Sequence, residues 1–330
     1  MTEGNELIRA EGVGRSFASR RTSMWSATEA VQAVVDVSIG IRRGETFGLV
    51  GESGSGKSTL GRIMLGMMKP TQGRVLWHGT DLAGLDPAER AGFRRRVQMI
   101  FQDPLGNLDP RMRVLAQVRE ALDIHAEGTP EERKRKALAT LASVGIDENL
   151  AQRYPHQLSG GQQQRVVIAR AIILDPDLVI CDEPVSALDV SVQAQVLNLL
   201  SRLQAELGLA YLFISHDLAV VRYICHRIAV LYLGRIVEEA ETEALFAEPR
   251  HPYTRALIRS VPVADPAARR KREVLQGELP DPGSLPPGCA FATRCSLATD
   301  RCRAEAPALQ TDSDGHAVAC HLVETAGTRA

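Results

Sequence analysis

Residues 51–58 have the composition and spacing of a loop that binds phosphate. They read GESGSGKS, so glycines alternate with other residues before a lysine and a serine. Glycine lets backbone N–H groups curl around an anion, and a helix that follows adds the positive end of its dipole. An apolar strand is predicted at 46–50 and a helix at 59–65, the order that a P-loop requires. The residues of this segment assigned to a nucleotide are Gly51, Ser53, Gly54, Ser55, Gly56, Lys57, Ser58 and Thr59.

The two residues at the end of that loop have distinct expected tasks. Lys57 is predicted to reach the β and γ phosphates of ATP, and the hydroxyl of Ser58 to ligate Mg²⁺. A glycine-rich turn before a helix is the plain structural alternative. The lysine–serine pair and the apolar strand upstream favour the nucleotide site.

An acidic pair follows a second apolar strand, predicted at 178–181. It consists of Asp182 and Glu183, and ligands of parallel sheets bind beyond the carboxyl ends of the strands. Asp182 suits the surroundings of a Mg²⁺ ion, and Glu183 suits a general base that polarises an attacking water. Taken alone, such a pair is more often a helix cap, so the P-loop upstream gives it its weight.

Residues 158–162 form a second candidate anion site. They read LSGGQ and precede a helix predicted to begin near Gln163, so the backbone amides at its start can face an anion. The residues concerned are Ser159, Gly160, Gly161 and Gln162. As a bare pattern, the segment also describes an ordinary helix N-cap.

The order of these three segments resembles the pattern of the ATP-binding cassette (ABC) superfamily. Its other pieces are Gln102 after a strand predicted at 97–101, SALD at 186–189, and His216 after a strand predicted at 211–214. The resemblance implies that Gln102 senses Mg²⁺ and links to a membrane partner. It also implies that His216 contacts the γ-phosphate and that Asp189 crosses a subunit interface.

Chemistry at a dimer interface is a further implication of the resemblance. Two subunits would pack head to tail, so that ATP held by the P-loop and acidic pair of one is closed by Ser159 and Gly161 of the other. A γ-phosphate between two sets of donors favours the closed dimer, and hydrolysis reopens it. An aromatic residue upstream of the P-loop often stacks on adenine in this family. Phe17 is assigned that role, with Trp25, in a segment that looks like an insertion, as the alternative.

The C-terminal part resembles a narrower group. HPYTRAL at 251–257 is similar to a segment typical of ATPase subunits of oligopeptide and dipeptide importers, a group that includes nickel and glutathione systems. FQDPL at 101–105, NLDPR at 107–111, and GCAF at 288–291 with Arg294 and Cys295 fit the same group. The resemblance implies ATP hydrolysis that powers import of di- or oligopeptides. The alternatives are a nickel or glutathione importer, and a soluble cassette ATPase acting in DNA repair or translation.

The tail also holds four cysteines with wide spacing, at Cys289, Cys295, Cys302 and Cys320. Four thiolates suit zinc or an iron–sulfur cluster, although zinc sites usually have closer cysteine pairs. Related peptide-importer ATPases carry a similar tail that can hold a [4Fe-4S] cluster, so the resemblance favours the cluster over zinc or plain thiols. A redox or iron sensor that regulates the ATPase is a compatible interpretation. The other two cysteines, Cys181 and Cys225, lie in apolar surroundings and are predicted to be core residues.

Composition limits the class of protein. The 330 residues are 44% hydrophobic and 24% charged with a net charge of −1, so no overall basic field favours nucleic acid or an anionic bilayer. No apolar run approaches the length of a spanning helix, and the first residues lack a secretion signal. We therefore expect a peripheral location on the cytoplasmic face of the cell membrane. The expected partners are a second ATPase subunit, two permease subunits and an extracytoplasmic substrate-binding protein, with no nucleic acid.

Alternating strands and helices predict an α/β fold, a P-loop NTPase cassette with a mainly parallel core sheet. An antiparallel β subdomain, an inserted helical subdomain and a small C-terminal extension complete the prediction. The nucleotide-binding core is placed at 1–102 and 172–247, the helical subdomain at 103–171 and the extension, with its four cysteines, at 248–330.

Overall fold

The computed structural model describes residues 6–18, 30–104, 106–260 and 286–323. The described strands are β1 (Glu6–Ala18), β2 (Ala30–Arg42), β3 (Thr46–Val50), β4 (Gln72–Trp77), β5 (Thr80–Asp81), β6 (Val97–Ile100), β7 (Leu178–Asp182), β8 (Ala210–Ser215), β9 (Arg227–Tyr232), β10 (Arg235–Glu241), β11 (Gln310–Thr311) and β12 (Ala317–Val318). The α-helices are α1 (Lys57–Met64), α2 (Pro87–Arg96), α3 (Val114–Ile124), α4 (Pro130–Ser143), α5 (Glu148–Ala151), α6 (Gly160–Ile172), α7 (Val190–Leu207), α8 (Leu218–Ile224), α9 (Thr242–Ala247), α10 (Pro252–Ser260) and α11 (Asp300–Ala304).

The chain divides into two compact units, each built from separated segments. The first unit comprises residues 1–7, 41–45 and 84–214, and the second comprises residues 8–40, 46–83 and 215–330. The predicted three-part division, with a helical subdomain at 103–171 and an extension from 248, stays a prediction.

The first unit contains a parallel arrangement of β6, β7 and β8, with β7 in the middle. All five residues of β7 and all six of β8 are buried, in keeping with strands that are continuous apolar runs up to their last residues, Asp182 and Ser215, rather than alternating. Helix α3 packs against α4 and α6 in the same unit. The carboxyl end of β7 is the point at which the acidic pair leaves the sheet.

The second unit contains two sheets. In one, β3 is parallel to β9, and the antiparallel strands β10, β12 and β11 extend the sheet beyond β9. The other has the order β2-β1-β4-β5 and includes the antiparallel pairs of β4 with β1 and β5. The parallel strands together with these antiparallel additions confirm the predicted α/β class.

Capping residues account for where several helices begin. Thr129 and Asp86 each accept a hydrogen bond from the backbone N–H three residues later, and the glutamate there bonds back to the cap. The predicted core positions of the two isolated cysteines are confirmed, because Cys181 is 0% exposed and Cys225 is 7% exposed. Burial raises the pKa of the Cys181 thiol, with the neighbouring Asp182 adding to the effect, so this side chain behaves as a neutral apolar group.

Candidate active site

The phosphate loop connects β3 to α1 within the second unit. Gly56 caps the helix with a left-handed backbone (φ 103°), and a Cβ placed there would lie 2.0 Å from the carbonyl oxygen of Ala33. Only glycine fits such a position without displacing backbone. Helix α1 therefore starts immediately after the turn. The backbone N–H groups of its first turn have no partner within the helix, and such groups can donate to a phosphate.

Lys57 lies inside the loop that it terminates. Lys57 is 5% exposed. Its Nζ donates hydrogen bonds to the carbonyl oxygens of Gly51 and Glu52 at 2.8 and 2.9 Å. A third contact joins Nζ to Ser55 Oγ at 3.4 Å. The ammonium group is thus held among the loop's own backbone oxygens, and its charge is concentrated at the loop predicted to bind phosphate.

The acidic pair leaves the sheet of the first unit at the end of β7. Asp182 is the last residue of that strand and is 4% exposed. Glu183 follows with a left-handed backbone (φ 49°), and its N–H donates to the carbonyl oxygen of Ile214 at 2.9 Å. A residue with a Cβ in this region costs about 1–3 kcal/mol and is found preferentially at functional sites. The turn therefore directs Glu183 away from the path that the strand would continue.

Gln102 and Glu183 are brought together, although 81 positions separate them in the chain. Gln102 follows β6, and its side-chain amide donates from Nε2 to Glu183 Oε2 at 2.9 Å. This hydrogen bond orients the carboxylate that the sequence predicts as the base. The order of motifs did not predict this hydrogen bond. The resemblance implies contacts of Gln102 with Mg²⁺ and with a membrane partner, and not with Glu183.

The LSGGQ segment forms a reciprocal capping box at the start of α6. Ser159 N–H donates to Gln162 Oε1 at 3.0 Å, and Gln162 N–H donates to Ser159 Oγ at 3.4 Å. The helix begins at Gly160 rather than near Gln163, and the difference arises because the cap is Ser159 itself. Ser159 and Gly160 are exposed, so the amide-bearing start of this helix faces solvent.

Close packing within the first unit leaves no space for a side chain at position 161. A Cβ at that position would lie 2.6 Å from Val192 Cγ1, on the facing helix α7. The same helix is preceded by Asp189, which is exposed and serves as its N-cap without a side-chain cap bond. Close packing of α6 against α7 thus places both segments in one unit.

The remaining predicted residues have ordinary local surroundings. His216 is exposed and lies between β8 and α8. Phe17 is half-buried in β1, with the Arg15 guanidinium 4.9 Å from its ring centroid. Trp25, the alternative for stacking on adenine, lies outside the described residues.

The C-terminal extension contains a buried polar network that sequence reasoning missed. Glu238, on β10, is 0% exposed and accepts hydrogen bonds from the N–H groups of Arg250 and His251 at 2.7 and 2.9 Å. His316 Nε2 is 2.7 Å from the same carboxylate. Burial opposes ionisation, yet these hydrogen bonds prevail and hold the pKa of Glu238 below its ordinary value. The strand carries three glutamates, Glu238, Glu239 and Glu241, so its sequence did not single out Glu238.

His251 immediately precedes α10 and caps its first turn. Its Nδ1 accepts a hydrogen bond from the Tyr253 N–H at 3.1 Å, which satisfies one of the orphan donors of the helix. The residue is 1% exposed, and burial lowers the pKa of the imidazole to about 4. The HPY segment therefore starts a helix. Its tyrosine has a further contact described below.

The four tail cysteines all carry free thiols. Burial raises the pKa of Cys289, Cys295 and Cys320, and the charge of neighbouring thiols raises each of these pKa values further. In the part of the chain that the structure describes, however, no group of three or more His, Cys, Asp or Glu side chains is arranged to hold a metal ion. Over the same residues, no helix combines the length and apolarity needed to cross a bilayer.

Two family models match the sequence. Residues 34–186 match the model described as "ABC transporter". Residues 237–302 match the model described as "Oligopeptide/dipeptide transporter, C-terminal region".

Individual relatives match over nearly the full length. The chain is 51% identical to a "Probable peptide ABC transporter ATP-binding protein y4tS" of Sinorhizobium fredii, over 96% of this chain and 90% of the relative. It is 46% identical to the "Oligopeptide transport ATP-binding protein AppF" of Bacillus subtilis, over 98% of this chain and 99% of the relative. Among solved structures, the ATP-binding cassette MJ0796, a dimer in a post-hydrolysis state with ADP and Pi, is 33% identical with a TM-score of 0.63. That alignment covers 71% of this chain and 98% of the cassette. The chain therefore belongs to the ABC transporter family and is one of its ATP-hydrolysing subunits, with the C-terminal region of the oligopeptide/dipeptide group.

Proposed function

We propose that this protein hydrolyses ATP to power the import of di- or oligopeptides through partner membrane permeases. The observation that carries the choice of cargo class is the match of residues 237–302 to the oligopeptide/dipeptide C-terminal region. The relatives named above are a peptide and an oligopeptide transport ATP-binding protein, which supports the same choice. Nickel or glutathione import, and a soluble cassette ATPase of DNA repair or translation, are not favoured by these names.

The roles of the ATP-site residues form part of the proposal. Lys57 would bind the β and γ phosphates, together with the amides of the glycine loop from Gly51 to Thr59. Phe17 would stack on adenine. Mg²⁺ would be held by Ser58, Gln102 and Asp182, and it would supply neutralisation of the phosphate charge.

Glu183 is proposed as the general base of hydrolysis. A base must lie within hydrogen-bond reach of the water from which it takes a proton, and its carboxylate must be correctly oriented. The hydrogen bond from Gln102 supports this role, because it holds one carboxylate oxygen in a fixed orientation. His216 would contact the γ-phosphate and help to align it.

The catalytic form is proposed to be a head-to-tail dimer with an identical or sister ATPase subunit. Ser159, Gly160, Gly161 and Gln162 of one subunit would close over the ATP of the other, and Asp189 would cross between them. Exposure of Ser159 and Gly160 at the start of α6 supports this arrangement, since a helix N-terminus in solvent attracts phosphate. The dimeric state of the related cassette gives further support.

Two permease subunits and an extracytoplasmic substrate-binding protein complete the proposed importer. The ATPase would lie on the cytoplasmic face of the membrane, where ATP is available. Gln102 is the proposed link from the nucleotide to the permease. Cargo would be selected by the permeases and the binding protein, so the ATPase supplies only the driving force.

Replacement of the proposed base tests the ATPase assignment. Glu183→Gln keeps the shape and the hydrogen bond from Gln102 but removes the base, so the variant should bind ATP and accumulate as a closed dimer in size-exclusion chromatography. Phosphate release should fall by about 100-fold or more. Glu206→Gln is the matched control, because Glu206 is an exposed helix residue of the same unit. Undiminished phosphate release by Glu183→Gln would contradict the proposal.

A [4Fe-4S] cluster on Cys289, Cys295, Cys302 and Cys320 is the proposed state of the tail, with zinc and plain thiols as alternatives. The presence of four free thiols in the tail supports it. The described side chains include no group arranged to hold a metal, and the proposed cluster takes no part in ATP hydrolysis. Anaerobic purification should give a brown protein with about four iron atoms per chain, the content of such a cluster. Colourless protein free of iron would overturn the cluster, and stoichiometric zinc would replace it.

A further inference from the structure

The phosphate loop contains a carboxylate, which is an unexpected group for a loop that binds anions. Glu52 is the second residue of the loop and stands between Gly51 and Ser53. A negative side chain near bound phosphates lowers affinity by Coulomb repulsion unless a cation neutralises it. The structure supplies that cation from a distant part of the sequence.

Arg294, in the cysteine-bearing tail, forms a two-pronged ion pair with Glu52. Its Nη1 lies 2.7 Å from Glu52 Oε2 and its Nη2 lies 3.1 Å from Glu52 Oε1. The Arg294 side chain is 6% exposed, so solvent screens this pair far less than a surface pair. The pairing with Glu52 raises the pKa of Arg294 above its already high ordinary value, which secures the positive charge.

The backbone of the same loop residue is held by a second residue of the extension. Glu52 N–H donates to the hydroxyl oxygen of Tyr253 at 3.0 Å, and Tyr253 is 0% exposed. The Glu52 carbonyl oxygen in turn accepts the hydrogen bond from Lys57 Nζ. One loop residue thus has its N–H, its carboxylate and its carbonyl oxygen each fixed by a different partner.

An aromatic cluster packs around Tyr253 and beside Arg294. Tyr253 packs against Tyr232 and Phe291 with ring centroids 4.6 and 5.4 Å apart, and Tyr232 meets Phe291 edge to face at 5.3 Å. The turn that carries Arg294 is closed by its N–H, which donates to the Phe291 carbonyl oxygen at 3.0 Å. All of these residues belong to the second unit, as does the phosphate loop.

We propose that Arg294 and Tyr253 are positioning residues of the phosphate loop: Arg294 neutralises the Glu52 carboxylate, and Tyr253 fixes the loop backbone, so that the loop accepts nucleotide phosphates. This inference rests on the proposed ATP site. It gives the C-terminal extension a direct task in nucleotide binding. A bidentate guanidinium fork is required, so lysine at position 294 does not substitute for arginine.

Equilibrium binding of a fluorescent ATP analogue to the full-length chain, with competition by ATP, tests the charge argument. Arg294→Gln should weaken ATP binding by about fivefold or more, in the usual range of coupling between two sites. Glu52→Gln should bind ATP at least as tightly as wild type. The double variant Glu52→Gln/Arg294→Gln should recover to within about twofold of wild type, because no unpaired carboxylate remains.

Two outcomes would contradict the positioning role of Arg294. Wild-type affinity in Arg294→Gln would overturn the proposal, and so would a double variant as weak as the single one, because a merely structural arginine would not be rescued. Arg303→Gln is the matched control, since Arg303 is an exposed arginine of the same tail. Lys57→Ala tests the proposed ATP site independently of the role of Arg294. If it binds ATP like wild type, the proposed ATP site fails whatever Arg294 does.

A second variant covers the case in which Arg294→Gln does not fold. Tyr253→Phe keeps the aromatic packing and removes only the oxygen that accepts from Glu52 N–H. Its circular dichroism spectrum should match that of the folded wild type. Its affinity for ATP should be lower by about fivefold or more. Unchanged affinity in this folded variant would overturn the positioning role of Tyr253.

Discussion

His251 makes the stability of the C-terminal extension sensitive to mild acid. Its imidazole is 1% exposed and caps α10 by accepting a hydrogen bond from the Tyr253 N–H. Burial is the largest cause of its lowered pKa, Arg255 lowers it further, and Glu238 acts in the opposite direction. The perturbation that isolates this effect is His251→Asn, because asparagine keeps a capping oxygen and removes the titrating ring.

The magnitude follows from the difference between the two states of the chain. The pKa of His251 falls from 6.5 to about 4 in the folded protein, so the unfolded chain binds the proton more readily as the pH drops. This contribution to stability is present above pH 6.5 and is lost as the pH falls through the folded pKa. The full loss is about 3 kcal/mol, and about 2 kcal/mol of it falls between pH 7 and pH 5.

Urea unfolding at pH 7 and pH 5, followed by circular dichroism, measures the difference. The wild type should lose about 2 kcal/mol more than His251→Asn over this interval. His125, which is exposed at the end of α3, supplies the control, because His125→Asn removes a histidine without touching a buried site. If wild type and His251→Asn lose stability in parallel, the histidine is not the buried neutral cap that the structure shows.

Three further predictions concern the ATP-site segments. Gly56→Ala should weaken ATP binding more than about tenfold in equilibrium titrations, because its Cβ would lie 2.0 Å from the Ala33 carbonyl oxygen; wild-type affinity would contradict this. Ser159→Ala removes a helix cap and should cost about 1 kcal/mol in urea unfolding, and a loss near zero would argue against the cap. Gln102→Ala removes the hydrogen bond that orients Glu183 and should lower the phosphate-release rate at saturating ATP and Mg²⁺ about 10- to 100-fold; an undiminished rate would contradict the orienting role.

Much of the fold was predictable because apolar runs and turn residues report local structure. The strand predicted at 46–50 is β3, with the same bounds, because a short apolar run before the glycine loop indicates a buried strand. Errors arose where a cap decides the boundary, as at Ser159, whose reciprocal bonds with Gln162 start the helix earlier than its apolar residues suggest. Such bonds depend on side-chain rotamers, which a hydrophobic pattern does not encode.

Contacts between distant residues are the part that motif reasoning could not supply. Glu52 and Arg294 are 242 positions apart, and the chain offers many other arginines as partners. A carboxylate within a phosphate loop signals that a cation is needed but not which one. The Gln102–Glu183 hydrogen bond was missed for the same reason, since the order of motifs along a chain does not define which side chains meet.

A transport assay asks whether ATP hydrolysis at Glu183 powers peptide import. The ATPase would be assembled with its permeases in proteoliposomes, with ATP supplied on the ATPase side and the binding protein with a radiolabelled peptide on the other. Wild type should accumulate peptide only when ATP is present, and Glu183→Gln should bind ATP but accumulate none. Peptide uptake by Glu183→Gln at the wild-type rate, or uptake without ATP, would contradict the account.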